Sequence, residues 1–400
     1  MNISIKLYQI GLLLVLFFAS CNKKNEDQVT PSFQYLVEST LLGEFDANSI
    51  KARYANDPNI SPFLGILPLS AVRVYKIVYK TTDVSGNEIN ASGALIYPTE
   101  NKPYALISYQ HGTITAESGA PSNYQPNSEA YDAGTLLSGV GYVVALPDYI
   151  GYGAAKDLEH PYEHAASLAS ASRDMIRAAR EFTNANGITL NNQLFLTGYS
   201  EGGYATMALH KLLESQHSDE FTVTASAPGA GAYNKTGFAQ DVVSRNEDLD
   251  FINSYLWVLD TYNKVYGLNR PFSAFINEPY ATQLTNAAPG IGIQTEVAKN
   301  PQVLFTQSFL DGIKNGTDTE LLNALKDNDI YDWTPKAPIR MFHGTADNFV
   351  PFFNSQNALD AMRANGVTQV ELVSINGGNH FTSIASFTLG VFDYFGSFAQ

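Results

Sequence analysis

The sequence is poor in cysteine, in positive charge and in long hydrophobic runs. One cysteine stands among 400 residues, so no disulfide can form within the chain. Lysine and arginine number 24 against 39 aspartate and glutamate residues, and the formal net charge of −15 disfavours nucleic acid as a partner. The apolar run from Leu7 to Ala19 is shorter than the ~20 residues that a membrane-spanning helix needs. The sequence therefore argues against a disulfide-rich scaffold and a transmembrane helix.

The rest of the composition is typical of a globular protein. Hydrophobic residues make up 44% of the chain, charged residues 16% and aromatic residues 12%. Such a chain can bury a sizeable core, whereas disordered segments combine low hydrophobicity with high net charge. Its length fits either one large domain with insertions or two to three small domains.

The amino terminus has the features of an export signal. Lys6 precedes the apolar run, and small residues lead into Cys21 in a pattern that resembles a bacterial lipoprotein signal. We predict a signal peptide over residues 1–20, lipidation of the Cys21 thiol and a flexible tether over residues 21–32. The predicted location is the bacterial cell envelope, with a lipid anchor that holds the protein to a membrane on its periplasmic or surface-exposed side. Secretion without an anchor is the alternative.

Strand and helix patterns alternate over most of the predicted folded domain, residues 33–400. Two stretches of alternating apolar residues, 72–79 and 91–97, predict an antiparallel hairpin. Short apolar runs follow, and such runs are typical of parallel strands buried on both faces. These runs are 105–108, 142–146, 193–197, 221–225, 339–342 and 370–375. The helical patterns between and after them are 165–183, 204–214, 354–364 and 383–398. We therefore expect an α/β fold with a mostly parallel central sheet flanked by helices.

One long segment interrupts the alternation. From about residue 229 to 333 the chain carries aromatic and polar stretches without a strand rhythm. A structureless loop of this length is improbable inside a compact domain. We therefore expect an inserted helical cap, with helices near 247–266 and 301–326.

Ser200 is the candidate nucleophile. A predicted strand leads into Gly198-Tyr199-Ser200-Glu201-Gly202, and a helical pattern follows. This G-x-S-x-G pattern is typical of a serine on a sharp strand-to-helix turn, where the two glycines avoid clashes with neighbouring elements. Backbone NH groups and the positive end of the helix would stabilise an oxyanion there, which favours acyl transfer.

A serine nucleophile needs a base, and the base needs an acid to orient it. Asp347 and His380 each follow a predicted strand, so both reach the same edge of the sheet. We assign Asp347 as the acid and His380 as the base. Asp347 could instead cap the helix that follows, which would leave Asp332 as the acid. The six other histidines fit less well, because only His380 follows the aspartate on a loop after a strand.

Backbone NH groups complete the predicted site. In this arrangement a second oxyanion donor comes from the loop after the third strand, where the chain has His111-Gly112-Thr113. We predict that the backbone NH groups of Thr113 and Glu201 form the oxyanion hole. The alternative is that His111 and Gly112 only shape a turn. Asp148 follows another strand at the same edge and is expected to be structural. The sequence carries no nucleotide-binding or zinc motif, so we predict no cofactor and no metal.

With Ser200, Asp347 and His380 in this order, the chain resembles the α/β-hydrolase superfamily and, within it, the secretory lipases of the lipase A type. The resemblance also rests on Pro147–Gly153 (PDYIGYG) and Gly198–Gly203 (GYSEGG). It extends from the predicted hairpin to the carboxyl terminus, and the ordered combination is more specific than any single motif. The resemblance implies an α/β-hydrolase fold, esterase or lipase activity, and a helical lid inserted before the acid residue.

We therefore expect a serine carboxylic-ester hydrolase, a lipase or esterase, that acts through an acyl-enzyme. Its expected substrate is a small-molecule or lipid ester. A serine peptidase or acylaminoacyl-type hydrolase of the same fold is one alternative. A catalytically idle surface binding protein is another, although an intact set of Ser, Asp and His argues against it.

Overall fold

The computed structural model describes residues 33–398, except for 57, 59, 66 and 127. The predicted signal peptide, the predicted lipidation site Cys21 and the predicted tether lie outside the described residues. Within the described part, no helix is long and apolar enough to cross a membrane.

The described part of the chain contains nine strands and twelve α-helices. The strands are β1 (Leu36–Phe45), β2 (Val72–Thr82), β3 (Glu88–Pro98), β4 (Tyr104–Gln110), β5 (Tyr142–Pro147), β6 (Leu190–Tyr199), β7 (Ala225–Gly229), β8 (Ile339–Gly344) and β9 (Val370–Ile375). The helices are α1 (Ala47–Tyr54), α2 (Thr135–Gly139), α3 (Ala165–Ala185), α4 (Glu201–Gln216), α5 (Lys235–Ser244), α6 (Ile252–Val265), α7 (Tyr280–Thr285), α8 (Pro301–Leu304), α9 (Gln307–Lys314), α10 (Thr319–Asp327), α11 (Phe353–Ala364) and α12 (Ile384–Gly396).

Short helical turns lie in the connections between these elements. The 3₁₀ turns are Ser61–Phe63, Glu117–Gly119, Pro121–Asn123, Gly153–Ala155 and Phe272–Ala274, and a π-helical turn is Ala130–Gly134.

The strands form a single nine-stranded sheet in the order β1-β2-β3-β5-β4-β6-β7-β8-β9. Strands β1, β2 and β3 pair antiparallel, and β3 pairs antiparallel with β5. From β5 through β9 every pairing is parallel. The expectation of an α/β-hydrolase fold with a mostly parallel sheet flanked by helices is confirmed. Because parallel strands end at a common edge, the loops after β4, β6, β8 and β9 meet there.

Helices cover both faces of the sheet, which explains the continuous apolar runs of its central strands. Every residue of β4 is buried. One apolar core includes Ile107 and Phe395, and a second, on α3 and α4 as well as the sheet, includes Leu106 and Met175. Adjacent residues of β4 thus belong to two different cores, as the alternation of side chains along a strand requires.

Strand β7 begins four residues later than the apolar pattern indicates. Phe221 and Val223 are buried, but the strand that pairs with β6 starts at Ala225 and ends at Gly229. Its small residues allow helix α4 to approach the sheet closely. A Cβ atom on Gly203 of α4 would lie 2.0 Å from the carbonyl oxygen of Gly229. Close packing, and not apolar character, determines where this strand lies.

The segment between β7 and β8, which contains the predicted cap insertion, carries helices α5 to α10. These helices share an apolar core of their own, which includes Leu256, Phe309 and Leu325. The single helix expected over 301–326 is three helices in the structure. The breaks follow from local capping: Thr306 accepts a hydrogen bond from the backbone NH of Phe309, and Asp318 caps α10 in the same way.

Candidate active site

Ser200 lies on a strained turn between β6 and α4. Its backbone angles are φ 61° and ψ −123°, a conformation that residues with a side chain rarely adopt. The turn is possible because glycines flank it. A Cβ atom on Gly198 would lie 2.3 Å from the carbonyl oxygen of Gln110, and one on Gly202 would lie 2.0 Å from the same atom. The sharp turn projects the Ser200 hydroxyl from the edge of the sheet.

The structure brings Ser200, His380 and Asp347 together in one hydrogen-bonded chain. His380 Nε2 lies 2.9 Å from Ser200 Oγ, and His380 Nδ1 lies 2.7 Å from Asp347 Oδ2. The exposed fraction is 9% for Ser200, 3% for His380 and 9% for Asp347, so little water competes for these contacts. The hydroxyl of Tyr199 donates to the backbone carbonyl of His380 over 2.6 Å, which ties the histidine loop to the strand that carries Ser200.

Asp347 is held as a carboxylate. Its Oδ1 accepts hydrogen bonds of 2.9 Å from the backbone NH groups of Phe349 and Val350. Burial raises the pKa of Asp347, but hydrogen bonds from His343 and His380 outweigh burial and lower the pKa to about 2. The carboxylate is therefore ionised at neutral pH, as a group that orients a histidine must be. The alternative acid, Asp332, lies elsewhere and accepts a hydrogen bond from Asn365.

His343 is one of the six other histidines, and the structure places it against Asp347. Its Nε2 lies 3.3 Å from Asp347 Oδ2 and 2.8 Å from the carbonyl oxygen of Val350. Its Nδ1 lies 2.7 Å from Ser355 Oγ. The short spacing of four residues between His343 and Asp347 was the one sequence feature that could have indicated this contact.

The loop after β4 also reaches Ser200. A Cβ atom on Gly112 would lie 3.1 Å from the carbonyl oxygen of Tyr199 and 3.8 Å from Ser200 Cβ. Thr113 follows Gly112, and Glu201 follows Ser200. Within the described residues, neither the backbone NH of Thr113 nor that of Glu201 donates to a backbone or side-chain acceptor. Both NH groups that were predicted as oxyanion donors thus lie at the carboxyl edge and are free to bind a ligand.

Glu129 fixes this loop, and nothing in the sequence pattern singled it out. Its Oε1 accepts a 2.7 Å hydrogen bond from the backbone NH of Gly112. Its Oε2 accepts another of 2.7 Å from the hydroxyl of Tyr109 in β4. The carboxylate therefore holds the loop against the strand from which it leaves.

A second buried pair involves Glu201, the residue that follows Ser200. His160 Nε2 lies 2.7 Å from Glu201 Oε1, and both side chains are almost fully buried. The other ring nitrogen of His160 lies 2.7 Å from the carbonyl oxygen of Ile150. This pair joins the first residue of α4 to the loop after β5. It could not be read from sequence, because the two residues are far apart in the chain.

Asp148, which was expected to be structural, lies in the core beside the loop after β4. It is fully buried and accepts hydrogen bonds from Ser92 Oγ, at 2.6 Å, and from the backbone NH of Ser122, at 2.7 Å. Its carbonyl oxygen lies 3.2 Å from His111 Nε2. Asp148 thus braces the loop that carries Gly112.

An apolar cavity lies among helices α5, α6, α9 and α10 and the chain that follows Asp347. Its wall includes Tyr255, Val258, Phe309, Leu325 and Phe349. The ring of Phe349 is 4.8 Å from that of His380, so one wall of the cavity lies beside His380. A buried ion pair between Lys235 and Glu163 forms a polar part of its wall. The cavity can accept a largely apolar group that is attached to an atom near Ser200.

The titratable groups outside this site do not assemble a metal centre in the described part of the chain. No group of three or more His, Cys, Asp or Glu residues there is arranged to hold a metal ion.

Comparisons with known proteins agree with this chemistry. The model of the family described as secretory lipase matches residues 130–388. Lipase 10 of Candida albicans is 23% identical over 340 residues, 78% of this chain and 70% of that protein. The secreted triacylglycerol lipase LIP2 of Malassezia furfur is 24% identical over 328 residues, 76% of this chain and 66% of that protein. The crystal structure of the rice cell wall degrading esterase LipA from Xanthomonas oryzae superposes with a TM-score of 0.79 and 26% identity. It covers 91% of this chain and 98% of LipA.

The contacts of Gly202 predict a large stability cost for a single methyl group. A Gly202→Ala variant places Cβ 2.0 Å from the carbonyl oxygen of Gln110 and 2.8 Å from that of His111. Backbone atoms cannot move aside cheaply, so we expect the free energy of unfolding to fall by about 1–3 kcal/mol or more. The measurement is denaturant-induced unfolding followed by circular dichroism.

Gly396→Ala is the matched control for this prediction. Gly396 ends α12, and a Cβ atom there meets nothing within 4 Å. We expect little change in its unfolding midpoint. Equal stability of the two variants would contradict the close packing at the Ser200 turn.

Proposed function

This chain belongs to the secretory lipase family and is a carboxylic-ester hydrolase, and we propose that Ser200, His380 and Asp347 are its catalytic triad. The observation that carries the proposal is the continuous hydrogen-bonded chain from Asp347 through His380 to Ser200 Oγ. The strained turn at Ser200 adds to it, because strain of this kind is retained where function requires it.

In the proposed reaction, Ser200 Oγ attacks the carbonyl carbon of the ester. His380 Nε2 takes the hydroxyl proton as the bond forms, and Asp347 stabilises the resulting imidazolium through its bond to Nδ1. The tetrahedral intermediate collapses, and His380 returns the proton to the departing alcohol. Water then attacks the acyl-enzyme with His380 again as base, which releases the acid and restores Ser200.

We place the developing oxyanion at the backbone NH groups of Thr113 and Glu201. Both groups are free in the described structure, and Gly112 brings the first of them close to Ser200. The amino end of α4 adds its positive partial charge at the same point. Donors that are fixed before the reaction begins stabilise the transition state without a cost of reorganisation.

The apolar cavity supports an ester with an apolar acyl chain as the substrate. Its wall beside His380 is aromatic, through Phe349, and its far wall is formed by side chains of α9 and α10. Helices α5 to α10 act in this proposal as the cap over the acyl chain. The relative from Malassezia furfur is a secreted triacylglycerol lipase, and LipA is a cell wall degrading esterase. A lipid ester is the substrate class that agrees best with the cavity.

We also propose that the protein is exported, as the secreted relative is. The signal peptide over residues 1–20 and the lipid anchor at Cys21 remain predictions from the sequence. An anchor would hold the enzyme at a membrane, and its placement in the bacterial cell envelope is likewise a prediction.

The triad proposal is tested with a series of p-nitrophenyl esters from acetyl to palmitoyl. We expect turnover by the protein and a loss in kcat of about 10⁴-fold or more in Ser200→Ala, because one member of a triad cannot act without the others. The measurement is the release of p-nitrophenolate at a fixed pH.

Ser397→Ala serves as the control, since Ser397 follows α12 and its hydroxyl donates only to a nearby carbonyl in the described structure. Its activity should equal that of the unaltered protein. If Ser200→Ala turns over the ester at the rate of the unaltered protein, the assignment of Ser200 as the nucleophile is wrong.

The position of the acyl chain is tested by filling the cavity. Ala239 lines it from α5, so an Ala239→Phe variant should shorten the space for the chain. We expect kcat/KM for the longest accepted ester to fall about 10-fold or more relative to the acetyl ester, because lost pocket contacts and overlap disfavour long chains. The measurement is the ratio of kcat/KM across the ester series.

Ala364→Phe, at the exposed end of α11, is the matched control and should leave the ratio unchanged. If Ala239→Phe keeps the same chain-length profile, the acyl chain does not bind in this cavity.

A further inference from the structure

The side chain of Thr113 makes a contact that its backbone role does not require. Its Oγ1 lies 2.8 Å from the hydroxyl oxygen of Tyr162, and either oxygen could be the donor on distance alone. Thr113 is half-buried, whereas Tyr162 is 2% exposed and lines the apolar cavity. The pair therefore lies where the substrate cavity meets the loop after β4.

The protonation state of Tyr162 decides which of the two hydroxyl groups donates the hydrogen bond. Burial, followed by the charges of Glu163 and Glu201, raises the pKa of the Tyr162 hydroxyl well above its ordinary value, so the phenol keeps its proton. A buried phenol needs an acceptor for that proton. Among the described residues, Thr113 Oγ1 is the one acceptor that bonds to it. Tyr162 is therefore the donor, and the hydrogen of the Thr113 hydroxyl is left without a partner in the described structure.

Thr113 directly follows the residue through which the loop after β4 packs against Ser200. Gly112 is packed against the nucleophile, with an added Cβ atom 3.8 Å from Ser200 Cβ. Thr113 is the next residue and supplies the first proposed oxyanion donor with its backbone NH. A hydroxyl on the same residue can point its hydrogen at the same oxygen, and side-chain hydroxyl groups are suitable oxyanion donors.

Tyr162 is itself fixed by the cap. Its ring stacks on that of Trp257 in α6, with 4.2 Å between centroids and 9° between planes. Trp257 also meets the ring of His160, at 5.5 Å, and His160 is paired with Glu201. The ring that orients Thr113 is therefore held by a helix of the cap and lies beside the pair at the start of α4.

We propose that the hydroxyl of Thr113 is a third donor to the oxyanion, and that Tyr162 is a positioning residue that aims it. The hydroxyl keeps its own proton and donates a hydrogen bond to the oxygen that becomes negative when Ser200 attacks. The proposal rests on the proposed triad. It adds the Thr113 side chain to the two backbone NH groups as an oxyanion donor. It also gives the cap a role in catalysis, because Trp257 of the cap holds the ring of Tyr162.

The experiment compares Thr113→Val, which removes the hydroxyl and retains shape and backbone NH, with Thr113→Ser, which retains the hydroxyl. We expect kcat for the preferred p-nitrophenyl ester to fall about 100-fold in Thr113→Val with little change in KM, as the loss of one oxyanion donor predicts. Thr113→Ser should remain within about 3-fold of the unaltered protein.

Tyr162→Phe tests the positioning role. We expect kcat to fall about 10-fold, because losing one neutral hydrogen bond changes a rate by up to about that factor. The double variant Thr113→Val/Tyr162→Phe should be no slower than Thr113→Val alone, because Tyr162 acts through the hydroxyl that is already absent. Affinity for an alkylboronic acid, which forms a tetrahedral adduct on the serine, should fall in parallel with kcat.

Other results overturn the proposal. If Thr113→Val retains kcat within about 2-fold, or raises KM alone, the hydroxyl does not bind the oxyanion. If the losses in the double variant multiply, Tyr162 does not act through Thr113. Ser200→Ala is measured alongside these variants. If Ser200→Ala is inactive, a negative result at Thr113 contradicts only the role of the Thr113 hydroxyl. If Ser200→Ala retains turnover, both the triad and the role of the Thr113 hydroxyl are wrong.

Discussion

The tight turn at Ser200 is the constraint on which the rest of the site depends. A residue at φ 61° and ψ −123° is held only where its surroundings determine its conformation. Those surroundings are backbone atoms of neighbouring strands, and they approach so closely that only glycine fits at positions 198 and 202. The same close approach brings the loop after β4 against Ser200. The free NH groups at the carboxyl edge thus follow from the packing that permits the turn.

Buried carboxyl groups around the turn have histidine partners, and these contacts determine the geometry of the site. The carboxylate of Asp347 accepts hydrogen bonds from His380, from His343 and from two backbone NH groups, and these keep it ionised in spite of its burial. Glu201 is buried directly after Ser200 and pairs with His160. Without its hydrogen bonds, the ionised Asp347 would carry a large desolvation cost. Together these contacts fix the loops at the carboxyl edge of the sheet, while helices α5 to α10 supply the apolar cavity beside them.

Much of the architecture could be predicted because its signals are local. Strands buried on both faces leave continuous apolar runs, and G-x-S-x-G needs only five residues. The predicted position of strand β7 was wrong because its Ala, Ser, Pro and Gly residues carry no strand pattern. Packing against α4 favours these small residues. The contacts of His343, Glu129 and His160 escaped prediction because they depend on side chains brought together by tertiary folding. The apolar cavity could not be predicted from the sequence for the same reason. The comparisons favour the ester hydrolase over the peptidase and the idle binding protein, and the roles of individual site residues remain to be measured.

Covalent labelling with a fluorophosphonate, followed by mass spectrometry of the proteolysed protein, tests most directly whether Ser200 is an activated nucleophile. Such a reagent phosphonylates a serine whose proton can be taken by a neighbouring base and releases fluoride. The account predicts one adduct per chain, on the peptide that contains Ser200, and greatly slowed labelling in a His380→Ala protein. An adduct on a different residue, or no adduct in a folded protein that hydrolyses esters, would contradict it.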